Sequence, residues 1–171
     1  ATRSSDLLPV RRDGVAAMLK IARDDEESRG WLVLDYWGGD GAARVLARDG
    51  HALLLERASG PLSLSRMVHN GRDDEASRIL CAVAARLHAP RGRPPPPSLI
   101  PLQQWFAPLA PVARAHGGVL EQAAAAAHGL LAEPRDVVVL HGDLHHDNVL
   151  DAGARGWIAV DPKRLRGERG F

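Results

Sequence analysis

The sequence predicts an α+β fold: a small antiparallel sheet with one helix, followed by a mainly helical region. Three observations predict it. Two Asp-Gly pairs, Asp13-Gly14 and Asp49-Gly50, each lie between short apolar runs, and this dipeptide supplies the positive φ values that a tight hairpin turn demands. Further on, Ala76, Ile79, Leu80, Val83, Ala84 and Leu87 recur at the spacing of one apolar helix face. Between them, Gly60-Pro61 marks the change of character.

Taken in order, residues 7–10 and 15–21 read as two strands joined at Asp13-Gly14, which puts Lys20 on the second strand. The acidic stretch Asp24-Asp25-Glu26-Glu27 precedes Trp31, Leu32, Leu34 and Tyr36. This pattern fits one short helix with negative charge in its first turn, ended by Gly38-Gly39-Asp40-Gly41. Residues 43–47 and 52–56 are two further strands. The periodic helix spans 73–88. Residues 89–98 contain Pro94 to Pro97, which excludes helix interior and central strand, so they read as a stiff exposed connector. The alanine-rich stretch 119–131 is a second helix stopped at Pro134, residues 137–140 are a short buried strand, and 157–160 are the last strand.

Composition narrows the function. With 171 residues, 45% hydrophobic and 25% charged, the chain can bury roughly 70% of its unfolded surface without disulfides or metal staples. The 22 basic residues balance 21 acidic ones, too evenly for a nucleic-acid footprint or an anionic membrane surface. No apolar run approaches the roughly 20 residues of a membrane span, and residues 1–6 lack the features of a signal peptide. The lone cysteine, Cys81, fits a reducing compartment, so the expected location is the cytoplasm; its place beside the helical stripe suggests a small buried hydrophobe. His69, His88, His116 and His128 are isolated and read as structural. Lys20 and Lys163 are the only lysines.

The densest polar cluster is His141-Gly142-Asp143-Leu144-His145-His146-Asp147-Asn148, fed by the apolar strand 137–140. Thirteen residues past Asn148, the strand 157–160 delivers Asp161, then Pro162 and Lys163. Phosphoryl transfer from a nucleotide needs a group that orients the attacking hydroxyl and hard oxygen donors that hold magnesium across the phosphates. Asp143 suits the first task, and Asn148 and Asp161 the second, because H-x-D-L-x-x-x-N followed by a strand-end aspartate is the kinase pattern. Upstream, Lys20 occupies the strand position of the lysine that contacts the α- and β-phosphates, with Glu27, or less favourably Glu26, as its ion-pair partner.

At these residues the sequence resembles the aminoglycoside and hydroxyurea resistance kinases, a family that includes streptomycin 6-phosphotransferases, within the wider protein-kinase-like fold. The resemblance covers nearly the whole chain. It is carried by HGDLHHDN at His141 to Asn148, and by Trp157-Ile158-Ala159-Val160-Asp161-Pro162-Lys163 leading into Gly167-Glu168-Arg169-Gly170-Phe171. It implies a two-lobed fold, with an N-lobe over residues 1–58 and a C-lobe over 59–171, and ATP held between them. Leu55 would lie near the gatekeeper position, and the backbones of Glu56 and Ala58 would meet the adenine. Lys20 and Glu27 would anchor phosphate, Asp143 would be the catalytic base, and Asn148 and Asp161 would hold Mg2+. The substrate it implies is a small aminoglycoside, streptomycin foremost, phosphorylated on a hydroxyl so that the drug no longer fits its target.

The resemblance also implies a piece of a longer enzyme. The chain starts where the family's phosphate-covering hairpin turns, with Thr2, Ser4 and Ser5 there in place of a glycine-rich loop. It stops before the helical region that supplies most of the drug pocket. Two other readings stay open on the sequence: a non-catalytic kinase-like module, and a zinc-dependent hydrolase using His141, Asp143, His145, His146 and Asp161.

Overall fold

The structure, a computed structural model, describes residues 5–171, so Thr2 and Ser4 lie outside the described residues. Two strands open it, β1 (Ser5–Arg12) and β2 (Val15–Ala22). Asp13 and Gly14 both take positive φ, 51° and 80°, the mirror-image turn whose twist matches the strands it joins. Next come α1 (Asp25–Ser28), α2 (Trp31–Trp37), β3 (Val45–Asp49) and β4 (Ala52–Glu56). The four strands form one antiparallel sheet in the order β1-β2-β4-β3.

The single helix expected over this region is two short ones. Glycine is a poor helix former, and at Gly30 the chain passes so close to Pro162 that an added Cβ would meet its carbonyl oxygen at 3.0 Å. The break lets α1 turn Glu27 toward β2 while α2 buries Val33, Leu34 and Trp37.

Beyond residue 56, α3 (Leu64–His69) is capped by Ser63, whose hydroxyl accepts the Arg66 N–H. The periodic stripe folds as α4 (Asp73–Leu87). Cys81 is exposed rather than buried. At 100° per residue it stands about 140° around the helix from Ala76, so it faces away from the stripe. The connector 89–98 is largely exposed, as expected, but its arginines are tethered: Arg91 pairs with Asp40 at 2.7 Å, and Arg93 donates to the carbonyl of Asp35.

The remaining elements are β5 (Ile100–Pro101), α5 (Leu102–Phe106), α6 (Leu109–His116), α7 (Val119–Ala132), β6 (Val137–Leu140), β7 (Val149–Asp151), β8 (Trp157–Ala159) and β9 (Leu165–Glu168). This half holds more sheet than a mainly helical region suggests. Strand β9 lies between β5 and β6, and β7 pairs with β8 as a hairpin.

One apolar cluster joins Val33, Leu34 and Trp37 of α2 to Leu53 and Leu55 of β4, Val83 and Leu87 of α4, and Val149 and Ala159 of the hairpin. Burying such side chains is worth about 1.5–3 kcal/mol each. The Trp37 indole N–H, which would otherwise be stranded in this core, donates to the Leu87 carbonyl at 3.0 Å. The segment 41–43 runs beside β8, with Ala43 N donating to the Ala159 carbonyl at 2.9 Å and Ala159 N to the Gly41 carbonyl at 2.8 Å. The first sheet is thereby fixed against the strand that leads to Asp161.

Candidate active site

Strand β2 buries Ala17, Lys20 and Ala22. A lysine buried there cannot keep its charge without partners, and two carboxylates supply them. The Lys20 ammonium donates to Glu27 Oε1 at 2.5 Å and to Asp161 Oδ1, 141 residues away in the chain. The side chain of Glu26, the alternative partner, lies outside the described residues.

Glu27 is held in place at both ends. Its N–H is capped by the Asp24 carboxylate at 2.8 Å, and its Oε2 lies 3.5 Å from the Lys163 ammonium. Burial alone would raise its pKa, but the hydrogen bond and charge of Lys20, with help from Asp161 and Lys163, win and bring it from 4.5 to about 2. Lys163 shows the converse. Burial works to lower its pKa, and the carboxylates of Glu27, Asp161 and Asp143 outweigh that and raise it. Sequence reasoning assigned Lys163 no site role; its signal was rarity, as one of only two lysines.

Asp161 has a φ of 61°, a left-handed conformation uncommon outside glycine. Its neighbours fix it there. Val160 N donates to the Asn148 carbonyl at 2.9 Å and Lys163 N to the His141 carbonyl at 2.7 Å. The Asn148 side-chain amide donates to the Asp143 carbonyl at 2.9 Å, which turns its amide oxygen toward other partners.

His141 ties the two loops together, a function that the reading of a polar cluster missed. It is 2% exposed and stacks on Trp37, with ring centroids 6.1 Å apart. Its Nδ1 accepts the Asp143 N–H at 3.3 Å, so the proton sits on Nε2, which donates to the Val160 carbonyl at 2.8 Å. Burial first, with the charges of His145 and Lys163 adding to it, lowers its pKa from 6.5 to about 4 against the opposing pull of Val160 and Asp143. The ring is therefore neutral at physiological pH. Asp147 is fixed by the Ser65 hydroxyl at 2.5 Å.

A cavity of about 380 Å3 opens beside Asp143, lined by His88, His141, Gly142, Leu144 and Arg169 among others. It is large enough for part of a small polar substrate. His88, read as isolated, belongs to it, with a pKa lowered by burial and by Arg169.

Lys20, Glu27 and Asp161 thus meet directly, and Asp143 and Asn148 meet each other and join the first group through Val160 and His141. Glu56 and Ala58 stand apart from them, at the end of β4 and just past it. Glu56 N donates to the Arg44 carbonyl at 2.9 Å, and its carboxylate is ion-paired with Arg155.

The zinc hydrolase reading fails on this geometry. Among the described residues no three His, Cys, Asp or Glu side chains gather around a point, and both ring nitrogens of His141 are engaged by the protein. Magnesium has different needs, one or two protein oxygens with the remaining positions left to phosphate and water. The amide oxygen of Asn148 and the part-exposed carboxylate of Asp161 fit that donor set.

Comparison with known proteins identifies the family. The model of the aminoglycoside/hydroxyurea antibiotic resistance kinase family matches residues 1–171. The chain is 56% identical over 170 residues to a streptomycin 3''-kinase of Klebsiella pneumoniae, covering 99% of this chain and 63% of that protein. It is 37% identical over 181 residues to a streptomycin 6-kinase of Streptomyces griseus, covering 98% and 57%. It is 40% identical over 179 residues to a hydroxyurea phosphotransferase of Kitasatospora aureofaciens, covering 96% and 51%. The chain thus spans between half and two thirds of the length of these relatives. No helix among the described residues is long and apolar enough to cross a membrane. With the family model matching from end to end, the chain belongs to the aminoglycoside/hydroxyurea antibiotic resistance kinases.

Proposed function

We propose that the protein carrying this chain transfers the γ-phosphoryl group of ATP to a hydroxyl of an aminoglycoside, with streptomycin the leading substrate, and so confers resistance to it. Membership of a kinase family implies ATP as donor. The observation that carries the reading is the Lys20 ammonium on both Glu27 and Asp161, which puts the residues proposed to anchor phosphate in direct contact with the aspartate proposed to hold metal. In this reading residues 1–58 form the N-lobe and 59–171 the C-lobe.

Each residue has a separable task. Glu27 holds Lys20 extended for the α- and β-phosphates. Asp143, at the mouth of its cavity, orients the acceptor hydroxyl and takes its proton as the oxygen attacks phosphorus. Asn148 and Asp161 hold Mg2+, which when bound neutralises charge on the phosphate oxygens. The Glu56 carbonyl and the Ala58 N–H receive the adenine edge. His141, neutral and buried, keeps the Asp143 and Asp161 loops in register.

The test is streptomycin-dependent ATP consumption by the full-length protein across a panel of aminoglycosides, wild type against Asp143→Asn. The variant is expected to lose at least about 100-fold in rate while still binding nucleotide. Equal turnover in both would remove Asp143 from its role, and a wild type inert toward every aminoglycoside would sink the substrate assignment.

A further inference from the structure

The backbone that would receive adenine, residues 56–58, is gripped at both sides by one distant element. On the near side, an Arg155 guanidinium nitrogen pairs with the Glu56 carboxylate while the other donates to the Gly39 carbonyl. The same carboxylate accepts the Arg44 N–H at 3.1 Å. On the far side, Asp151 accepts the Gly60 N–H through its carbonyl at 2.8 Å and the Leu62 N–H through Oδ2 at 3.1 Å. Its Oδ1 takes the Gly153 N–H at 2.9 Å, and Ser63 bridges to Leu150. The approach at residue 60 is so close that any Cβ there would overlap the Asp151 carboxylate, so only glycine fits.

Asp151 and Arg155 both belong to the closed end of the β7–β8 hairpin. The register Val149↔Ala159, Leu150↔Ile158, Asp151↔Trp157 is unbroken. Its open end continues directly into the proposed metal ligands, with Asn148 before Val149 and Asp161 two residues after Ala159. Three rungs of ladder therefore separate the grip on residues 56–62 from Asn148 and Asp161. The Glu56 and Arg155 side chains are 19% and 24% exposed, and a charge pair so shielded holds its geometry better than a surface pair.

We propose that the β7–β8 hairpin is a spacer that fixes the distance between the adenine-receiving backbone and the metal-binding residues, with Arg155 a positioning residue that acts through Glu56. This rests on the nucleotide reading above. Arg155 touches neither adenine nor phosphate. Losing it frees the end of β4 without disturbing Lys20, Glu27 or Asp161.

The experiment is calorimetric titration of the full-length protein with Mg-ATP and, separately, with magnesium tripolyphosphate, which offers the phosphates without the base. Arg155→Met is expected to weaken Mg-ATP binding by at least about 10-fold, the scale of losing one charged hydrogen bond that fixes a binding surface, and to leave tripolyphosphate affinity within about 2-fold. Should Arg155→Met fail to fold by circular dichroism, Glu56→Gln, which keeps the side-chain size, carries the same expectation. Arg155→Lys should recover part of the loss. Wild-type ATP affinity in the variant, or equal weakening toward both probes, overturns the proposal while leaving the nucleotide reading intact. A wild type that binds tripolyphosphate but not ATP, or binds neither, overturns the nucleotide reading and the spacer with it.

Discussion

His141 is the most exacting test of how the cleft is built. Its pKa is about 4 in the folded protein against an ordinary 6.5. As pH falls through 6.5 the unfolded chain takes up the proton first, so the stability this residue brings is complete above that point and declines toward pH 4. The full difference amounts to about 3 kcal/mol, of which about 2 kcal/mol is gone by pH 5. His141→Phe keeps an aromatic ring against Trp37 but cannot titrate, and it strands the Val160 carbonyl and the Asp143 N–H, each worth about 1–3 kcal/mol if left unpaired. Urea unfolding at about pH 7.5 should therefore find the variant several kcal/mol less stable, and at about pH 5 the gap should narrow by about 2 kcal/mol. Carboxylates elsewhere affect both proteins alike and cancel. A gap unchanged between the two pH values would refute the reasoning. So would a midpoint near 6.5 for the His141 ring in a histidine NMR titration of the wild type.

Glu27→Gln tests the other buried group: the contribution of Glu27 is present above pH 4.5 and fades toward about pH 2, so the stability gap between variant and wild type should shrink by about 2 kcal/mol from pH 6 to pH 3. A gap that widens on acidification would mean that Glu27 is not held down by its lysines. Cys81, exposed on α4, should react with an aromatic disulfide reagent in the native protein at close to the rate of the urea-unfolded chain, whereas protection until unfolding would restore the buried reading.

Much of this molecule could be read locally. Asp13-Gly14 dictates its own turn, and Lys20 falls on β2 because that turn fixes the register of the strand leaving it. The cluster His141 to Asn148 betrayed itself by composition, since a mere turn has little use for three histidines and two aspartates. What escaped reading depends on contacts far apart in sequence. The break at Gly30 is set by Pro162, and β9 exists only because β6 and β5 flank it, its four residues being too few to show alternation. Arg91 and Arg93 make the proline-rich connector a tethered strap by finding Asp40 and Asp35, which no pattern within residues 89–98 announces. Cys81 is the exception. The helix period alone turns it toward solvent, and only the apolarity of its sequence neighbours suggests otherwise.

The pair of carboxylates on Lys20 poses a question of division of labour that exposure answers. Two lysines and two acids, Lys20, Lys163, Glu27 and Asp161, make a group with no net charge, which lowers the cost of keeping ions away from bulk water. Glu27 has both oxygens committed to ammonium groups and is 8% exposed, whereas Asp161 is 35% exposed with one oxygen on Lys20. If the proposed magnesium site is right, the cation would be held by Asp161, because Glu27 could ligate it only by giving up an ammonium partner. Lys20, on losing Asp161 to that cation, would keep Glu27 and hold a free direction for a phosphate oxygen. In the proposed function, burial and the commitment of both its oxygens suit Glu27 to anchoring and leave Asp161 the carboxylate suited to metal, while the ion pair between Lys20 and Asp161 holds both side chains in place.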